Sequence, residues 1–194
     1  MIEYIEGKVT ALYPTHMIIE TAGTGYLVNI SLFTFTRFEG VENGRILIHQ
    51  IIREDAHQLY GFATEGEREL FRLLISVSGV GANTARMMLS SIEPSGIEKA
   101  ILTGDVVLLK GIKGIGLKTA ERIIVDLRDK VGKSHLKEGE IFSTADNSVR
   151  DEAFTALVML GFPKNAVGKV LERLIKEEGS LSVEQMIRKA LQIL

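Results

Sequence analysis

Two segments of this chain, GVGANTARMML from Gly79 and GIGLKTAERII from Gly114, repeat one unit at an offset of 35 residues. Each runs glycine, apolar residue, glycine, and then opens an amphipathic helix. An apolar stretch precedes each turn, Leu73-Leu74-Ile75 in the first copy and Val107-Leu108-Leu109 in the second, so the unit reads helix, tight turn, helix. A repeated supersecondary unit limits the fold more than any single propensity does.

Glycine permits left-handed or crowded conformations and lets another backbone approach. In this pattern the first glycine is expected to end one helix and the second to leave bare amides at the start of the next. Those amides and the positive end of the helix dipole make a site for a phosphate. Val80 and Ile115 are then free to turn inward and pin the two helices together. Ala85 and Ala120 fall one turn after the second glycine, where a small side chain lets helices pack closely. Lys118 and Arg122 share a helix face and point cations toward the same phosphates. The pair of turns therefore points to binding of a DNA backbone without reading bases.

Other glycine motifs fit less well. Gly111 and Gly116 have P-loop separation, but Leu117 stands where the lysine belongs and the preceding pattern is helical. A dinucleotide fingerprint fails because Thr84 and Thr119 occupy the third glycine position. Glycine caps in an ordinary helical bundle remain the plain alternative, which two in-register copies with matched alanines disfavour.

The 194 residues have room for one large domain or two to three small ones. No cysteine is present, which excludes disulfides, thiolate metal sites and iron–sulfur clusters. His16, His49, His57 and His135 lack ligand spacing, so no metal or cofactor is expected. Glu3 and Glu6 stand in the N-terminal alternation, unlike a signal peptide, and no apolar run approaches membrane-spanning length. A soluble cytoplasmic protein is the expectation.

The net charge of −2 is unevenly spread. Residues 1–63 carry four Lys/Arg against seven Asp/Glu, residues 64–134 eleven against nine, and residues 135–194 eight against nine. Only the segment with the glycine turns is net positive, which implies local contact through amides and a few cations.

Residues 1–63 alternate like strands: MIEYIEGKV, HMIIE, GYLVNI, GRILIHQIIRE and AHQLYGF make about five short runs. A small barrel follows, of which the OB fold is the commonest nucleic-acid-associated kind, with a sandwich or SH3-like barrel as alternatives. Tyr4, Tyr13, Tyr26, Phe33, Phe35, Phe38, Tyr60 and Phe62 could stack on bases, although aromatics at strand spacing more often serve the core. Glu54 and Asp55 sit between two strands as a solvated turn; two adjacent carboxylates are a weak nuclease signal, but beside a DNA-binding segment they could repel phosphates.

Residues 132–148, GKSHLKEGEIFSTADNS, are polar and aperiodic, as expected of a flexible linker. From Val149 three short amphipathic helices follow, with Asn147 or Ser148 as a cap for the first and Ser182 for the third. Leu160, Phe162, Val167, Val170, Leu171, Leu174 and Ile187 are expected in the core of this bundle, which is small enough to leave apolar surface for a partner.

REDAHQLYGF from Arg53, GERELFRLLISVSGVG, and LLKGIKGIGLKTAERIIVDL closely resemble the RuvA family of Holliday junction-binding proteins across nearly the whole chain. The resemblance implies a multidomain α+β protein: an OB-fold domain over 1–63, a tandem helix-hairpin-helix domain over 64–131, the linker over 132–148, and a UBA-like three-helix domain over 149–194. It implies a homotetramer that spreads a four-way junction flat on one face, one such tetramer or an octamer of two sandwiching the DNA. Its partner is the hexameric ATPase RuvB, contacted through 149–194, with the resolvase RuvC as a further candidate. No catalysis or cofactor is implied for the chain itself, ATP and Mg being used by RuvB. The setting is homologous recombination and repair in the DNA-damage (SOS) response.

Carried over by position, the resemblance makes Glu54 and Asp55 an acidic pin at the tetramer's centre. Gly79, Gly81, Asn83 and Thr84, with Gly114, Gly116, Lys118, Thr119 and Arg122, would grip the arms through phosphates. The first copy departs from the second in lacking a lysine where Lys118 stands, so the second hairpin is expected to contribute more. GIGLKTA also resembles helix-hairpin-helix DNA glycosylases, in which a lysine in the position of Lys118 is the nucleophile and a later aspartate assists it. Near that later position stands Leu136, with Glu138, Asp129 and Asp126 as the nearest acidic groups.

Overall fold

The computed structural model describes residues 1–139, 145–178 and 181–194. Two compact units divide the chain at His135 and Leu136.

The first unit opens with β1 (Tyr4–Tyr13), β2 (His16–Thr21), β3 (Thr24–Ile30), α1 (Leu32–Phe38), β4 (Asn43–Ile52) and β5 (His57–Phe62). The strands close into a barrel in the order β1-β2-β3-β5-β4, antiparallel except for β3 beside β5. Closure depends on β1, which pairs with β4 over Tyr4–Lys8 and with β2 over Lys8–Tyr13, bending at a register shift between Val9 and Ala11. Alternate residues Ile5, Met17, Ile19, Val28, Ile30, Ile46 and Ile48 fill the interior, with Phe38 of α1 closing it.

The segment holding Phe33, Phe35 and Phe38 is helical, not extended as its period-two aromatics suggest. Ser31 caps α1 by accepting from the Thr34 amide, and Thr34 is itself buried. Phe38 therefore belongs to the core and not to a stacking surface.

Helices α2 (Glu65–Ile75), α3 (Ala82–Ser91), α4 (Pro94–Thr103), α5 (Val106–Lys110) and α6 (Leu117–Gly139) follow. Their core includes Leu70, Phe71, Leu74, Ala85, Met88, Ile97, Ile101, Ala120, Ile123 and Leu127, and it is continuous with Tyr60 and Phe62 of β5. Both aromatics pack on Phe71, with ring centroids 5.2 and 4.8 Å away, so they too are core and cannot stack on bases.

Two adjacent charged residues of α2 bolt it to the barrel. The buried Glu67 carboxylate accepts from the Ser31 hydroxyl, from the Thr34 hydroxyl at 2.6 Å and from the Ala63 amide at 3.1 Å. Burial pushes this carboxyl up, against the pull of those hydrogen bonds and of Arg37. Arg68 donates to the carbonyl oxygens of Glu3 and Ile48 at 2.9 and 3.2 Å and pairs with the Glu3 and Glu65 carboxylates.

The second unit contains α7 (Ala145–Met159), α8 (Lys164–Glu178) and α9 (Val183–Ile193) around Ala153, Leu157, Val167, Leu171, Leu174, Met186 and Ala190. Gly161, at φ 100°, closes α7: its amide donates to Val158 O and that of Phe162 to Leu157 O, the Schellman arrangement. Ser182 caps α9 in a capping box with Gln185, as expected. Phe162, Val170 and Ile187 pack against the core, whereas Leu160, expected in it, is 61% exposed beside Met159 at 83%. Its place between the last turn of α7 and Gly161 turns it away from the bundle.

Of residues 132–148, expected as an irregular linker, 132–139 continue α6 and 145–148 begin α7; residues 140–144 lie outside the described residues. Lys, Leu and Glu in that stretch are good helix formers. Asn147 and Ser148 consequently stand within α7, not before it. Among the described residues no helix is long and apolar enough to cross a membrane.

Candidate nucleic-acid interface

The two glycine units fold alike. Helices α2 and α5 stop at Ile75 and Lys110, well short of Gly79 and Gly114, so the first glycine of each pair does not end a helix as expected. Val77 and Ile112 each donate to a carbonyl of the last helical turn, Leu74 O at 3.1 Å and Leu109 O at 3.2 Å. Val80 and Ile115 then donate to Val77 O and Ile112 O, both at 3.0 Å. Burying two apolar residues per turn, Val77 with Val80 and Ile112 with Ile115, is what lengthens the connection. Gly79 and Gly114 adopt φ 93° and 92°, the left-handed region in which a side chain is strained.

Gly81 and Gly116 have a different reason to be glycine. Gly81 stands at the N-cap of α3 with φ −86° and ψ 167°, which any residue adopts, and α3 has no side-chain cap. A Cβ built on either residue meets nothing within 4 Å. Neither backbone conformation at Gly81 nor packing within the chain at either position demands glycine. What both positions offer is a helix start with no side chain standing over it. The first intrahelical bonds come from Ala85 to Gly81 O and from Ala120 to Gly116 O, both 2.9 Å, leaving the earlier amides without intrahelical partners.

The side chains around the two termini differ. Lys118 and Arg122 are exposed on α6, and Thr119 is half-buried behind them. Lys113, exposed in the second turn immediately before Gly114, adds a cation that is absent from the residues expected from the sequence, although its place beside the glycine pair was the signal for it. In the first copy Ser78, Asn83 and Met87 hold the places of Lys113, Lys118 and Arg122. Asn83 is exposed, but its Oδ1 lies 3.3 Å from the hydroxyl of buried Tyr60. Thr84 is half-buried. Arg86, the one cation of α3, donates to Thr15 O at 2.7 Å and approaches Asn29 Oδ1 at 3.4 Å, so it serves the barrel.

Glu54 and Asp55 form the exposed tip of the β4–β5 hairpin, closed by the Arg53 amide on Ala56 O at 2.8 Å above the Ile52 and His57 pair. Ile52 beside them is 64% exposed. Strand β5 runs from this tip to Tyr60, and so to Asn83. Of the exposed tyrosines, Tyr4 lies under the Arg45 guanidinium at 3.6 Å and Tyr13 stacks on His16 at 4.7 Å.

Comparison with known proteins agrees with this architecture piece by piece. Residues 1–61 match the RuvA N terminal domain, residues 71–129 the SAM-like helix-hairpin-helix tandem, and residues 148–194 the RuvA C-terminal domain. The chain is 50% identical over 196 residues to a protein of Parabacteroides distasonis, covering all of both chains. It is 47% identical to one of Porphyromonas gingivalis, again over the whole of both, and 47% identical to one of Christiangramia forsetii over 98% of each. All three are named Holliday junction branch migration complex subunit RuvA. The glycosylase reading of Lys118 is not favoured: none of these names denotes such an enzyme. Asp126 and Asp129 also follow Lys118 by about 12 and about 16 Å along the axis of α6, too far to assist it.

Proposed function

The chain belongs to the RuvA family, and on that footing we propose that it binds four-way junction DNA through the phosphate backbone, without catalysis of its own. The observation that carries this is the pair of glycine-started helices, α3 and α6, whose first amides have no intrahelical partner and whose glycines have empty space where a side chain would stand. Phosphates would sit on the amides after Gly79-Val80-Gly81 and Gly114-Ile115-Gly116, with Asn83 and Thr84 beside the first and Lys118, Thr119 and Arg122 beside the second.

Four copies would surround the crossover, each barrel presenting Glu54 and Asp55 to the centre and disfavouring continuous duplex there; a second tetramer could close over the other DNA face. Exposed Ile52 and Leu27 of the barrel support contact between copies. In this scheme residues 1–63 assemble, 64–131 grip DNA, 132–148 connect, and 149–194 engage RuvB, whose ATP and Mg drive strand movement. RuvC would act on the junction so held. The place is the cytoplasm and the process recombinational repair of damaged DNA within the SOS response.

Native mass measurement with a four-way junction, competed by linear duplex of equal length, tests the reading. A tetramer that prefers the junction is expected; equal affinity for both DNAs overturns it.

A further inference from the structure

The polar face of α3 is spent on the barrel. Asn83, Arg86 and Ser90 stand at i, i+3 and i+7, on one stripe of the helix. Asn83 meets Tyr60 of β5, Arg86 meets Thr15 of the β1–β2 turn and Asn29 of β3, and Ser90 Oγ accepts from the Leu32 amide at the start of α1 at 3.1 Å. The matching positions of α6, Lys118, Glu121 and Val125, are all exposed. The same face that is docked in one copy is thus open in the other.

Tyr60 is the hinge of this docking. It is 2% exposed, its ring is fixed against Phe71, and its hydroxyl has one proton between Gln58 Oε1 at 3.1 Å and Asn83 Oδ1 at 3.3 Å. Burial raises this phenol above its usual range, against Arg86 and Arg53, so it keeps that proton at neutral pH. β5 leads back from Tyr60 to His57, two residues after Asp55 at the hairpin tip.

We propose that Asn83 is a positioning residue, held by Tyr60, that fixes the α3 amides relative to the acidic tip of the β4–β5 hairpin and so sets the preference for a junction over duplex. This rests on the junction-binding reading above. Binding strength comes mainly from the cations of the second hairpin, whereas the first supplies alignment.

The test uses the full-length protein, with affinities for a four-way junction and for linear duplex measured across a range of salt. Asn83→Ala and Tyr60→Phe are each expected to lower the junction-to-duplex ratio about three- to tenfold, the scale set by one ordinary hydrogen bond. The double variant should fall no further, because both changes break one tie. Tyr60→Phe keeps its ring on Phe71, and an unchanged melting transition confirms that its fold is intact. The salt slope should stay unaltered in both variants, since neither removes a cation from a phosphate. A drop in affinity for both DNAs on Asn83→Ala, with Tyr60→Phe silent, makes Asn83 a phosphate ligand and nothing more, which overturns the proposal. An unchanged ratio in both variants overturns it too. The wild-type ratio separately reports whether the junction-binding reading stands.

Discussion

Arg122 reaches back from α6 to the carbonyl oxygen of Ser78, 3.5 Å away, so a side chain of the second hairpin touches the turn of the first. A contact this long holds the guanidinium loosely and leaves most of its donors for another acceptor. Lys113 and Lys118 flank the same helix end.

Arg122→Ala, Lys118→Ala and Lys113→Ala should therefore each weaken junction and duplex binding together. Each should also reduce the slope of log affinity against log salt by about one, the signature of one lost phosphate contact. Met87→Ala, at the place equivalent to Arg122, should leave the slope unchanged. Titrations at several salt concentrations check this, and an unaltered slope for Lys113→Ala removes that residue from the interface.

Replacing Glu54 and Asp55 by Gln and Asn removes charge from the hairpin tip while keeping its size. Junction binding should persist and duplex binding should strengthen, narrowing the difference between them. Competition between the two DNAs reads the outcome; undiminished discrimination refutes a repulsive role for the tip.

A chain ending before residue 149 should still bind junction DNA and assemble, yet fail to stimulate the ATPase of RuvB. Fluorescence anisotropy and phosphate release report the two properties separately. Loss of junction binding in the shortened chain contradicts the assigned division of labour.

Glu67 gives a pH signature. Its folded carboxyl titrates above the ordinary value of 4.5, so the folded state holds the proton more tightly than the unfolded one. Its contribution is fully present below that value and is lost as pH rises through the raised folded pKa. Denaturant melts of wild type and Glu67→Gln should show the stability difference, wild type minus variant, falling as pH climbs from about 4.5. A pH-independent difference would falsify the ionisation of Glu67 as the cause.

The barrel was legible because alternation survives in it: Met17 and Ile19 point inward while Ile18 and Glu20 do not. Alternation also misled, since Phe33 and Phe35 repeat at period two inside a helix fixed by Ser31 and by the distant Glu67. The glycine turns and their inward Val80 and Ile115 followed from local spacing, but their true length did not, because Val77 and Ile112 look like ordinary helix-end residues. Least visible were the ties of α3. Asn83 is expected at a phosphate from its place in the repeat, and only folding brings Tyr60, 23 positions earlier, against it as well. Arg86 reaches Thr15 across 71 positions, a pairing that no local pattern encodes.

Gly81 has the backbone angles of a good N-cap and no side chain to act as one. Gly81→Ser would supply the missing oxygen to an α3 amide and should stabilise the protein by a few tenths of a kcal/mol, raising its melting temperature slightly. The same oxygen would occupy the donor that a phosphate needs, so junction affinity should fall as stability rises; a variant improved in both would disprove this. In the proposed complex the DNA finishes a secondary-structure element that the polypeptide begins, and the ligand serves as the helix's own first residue.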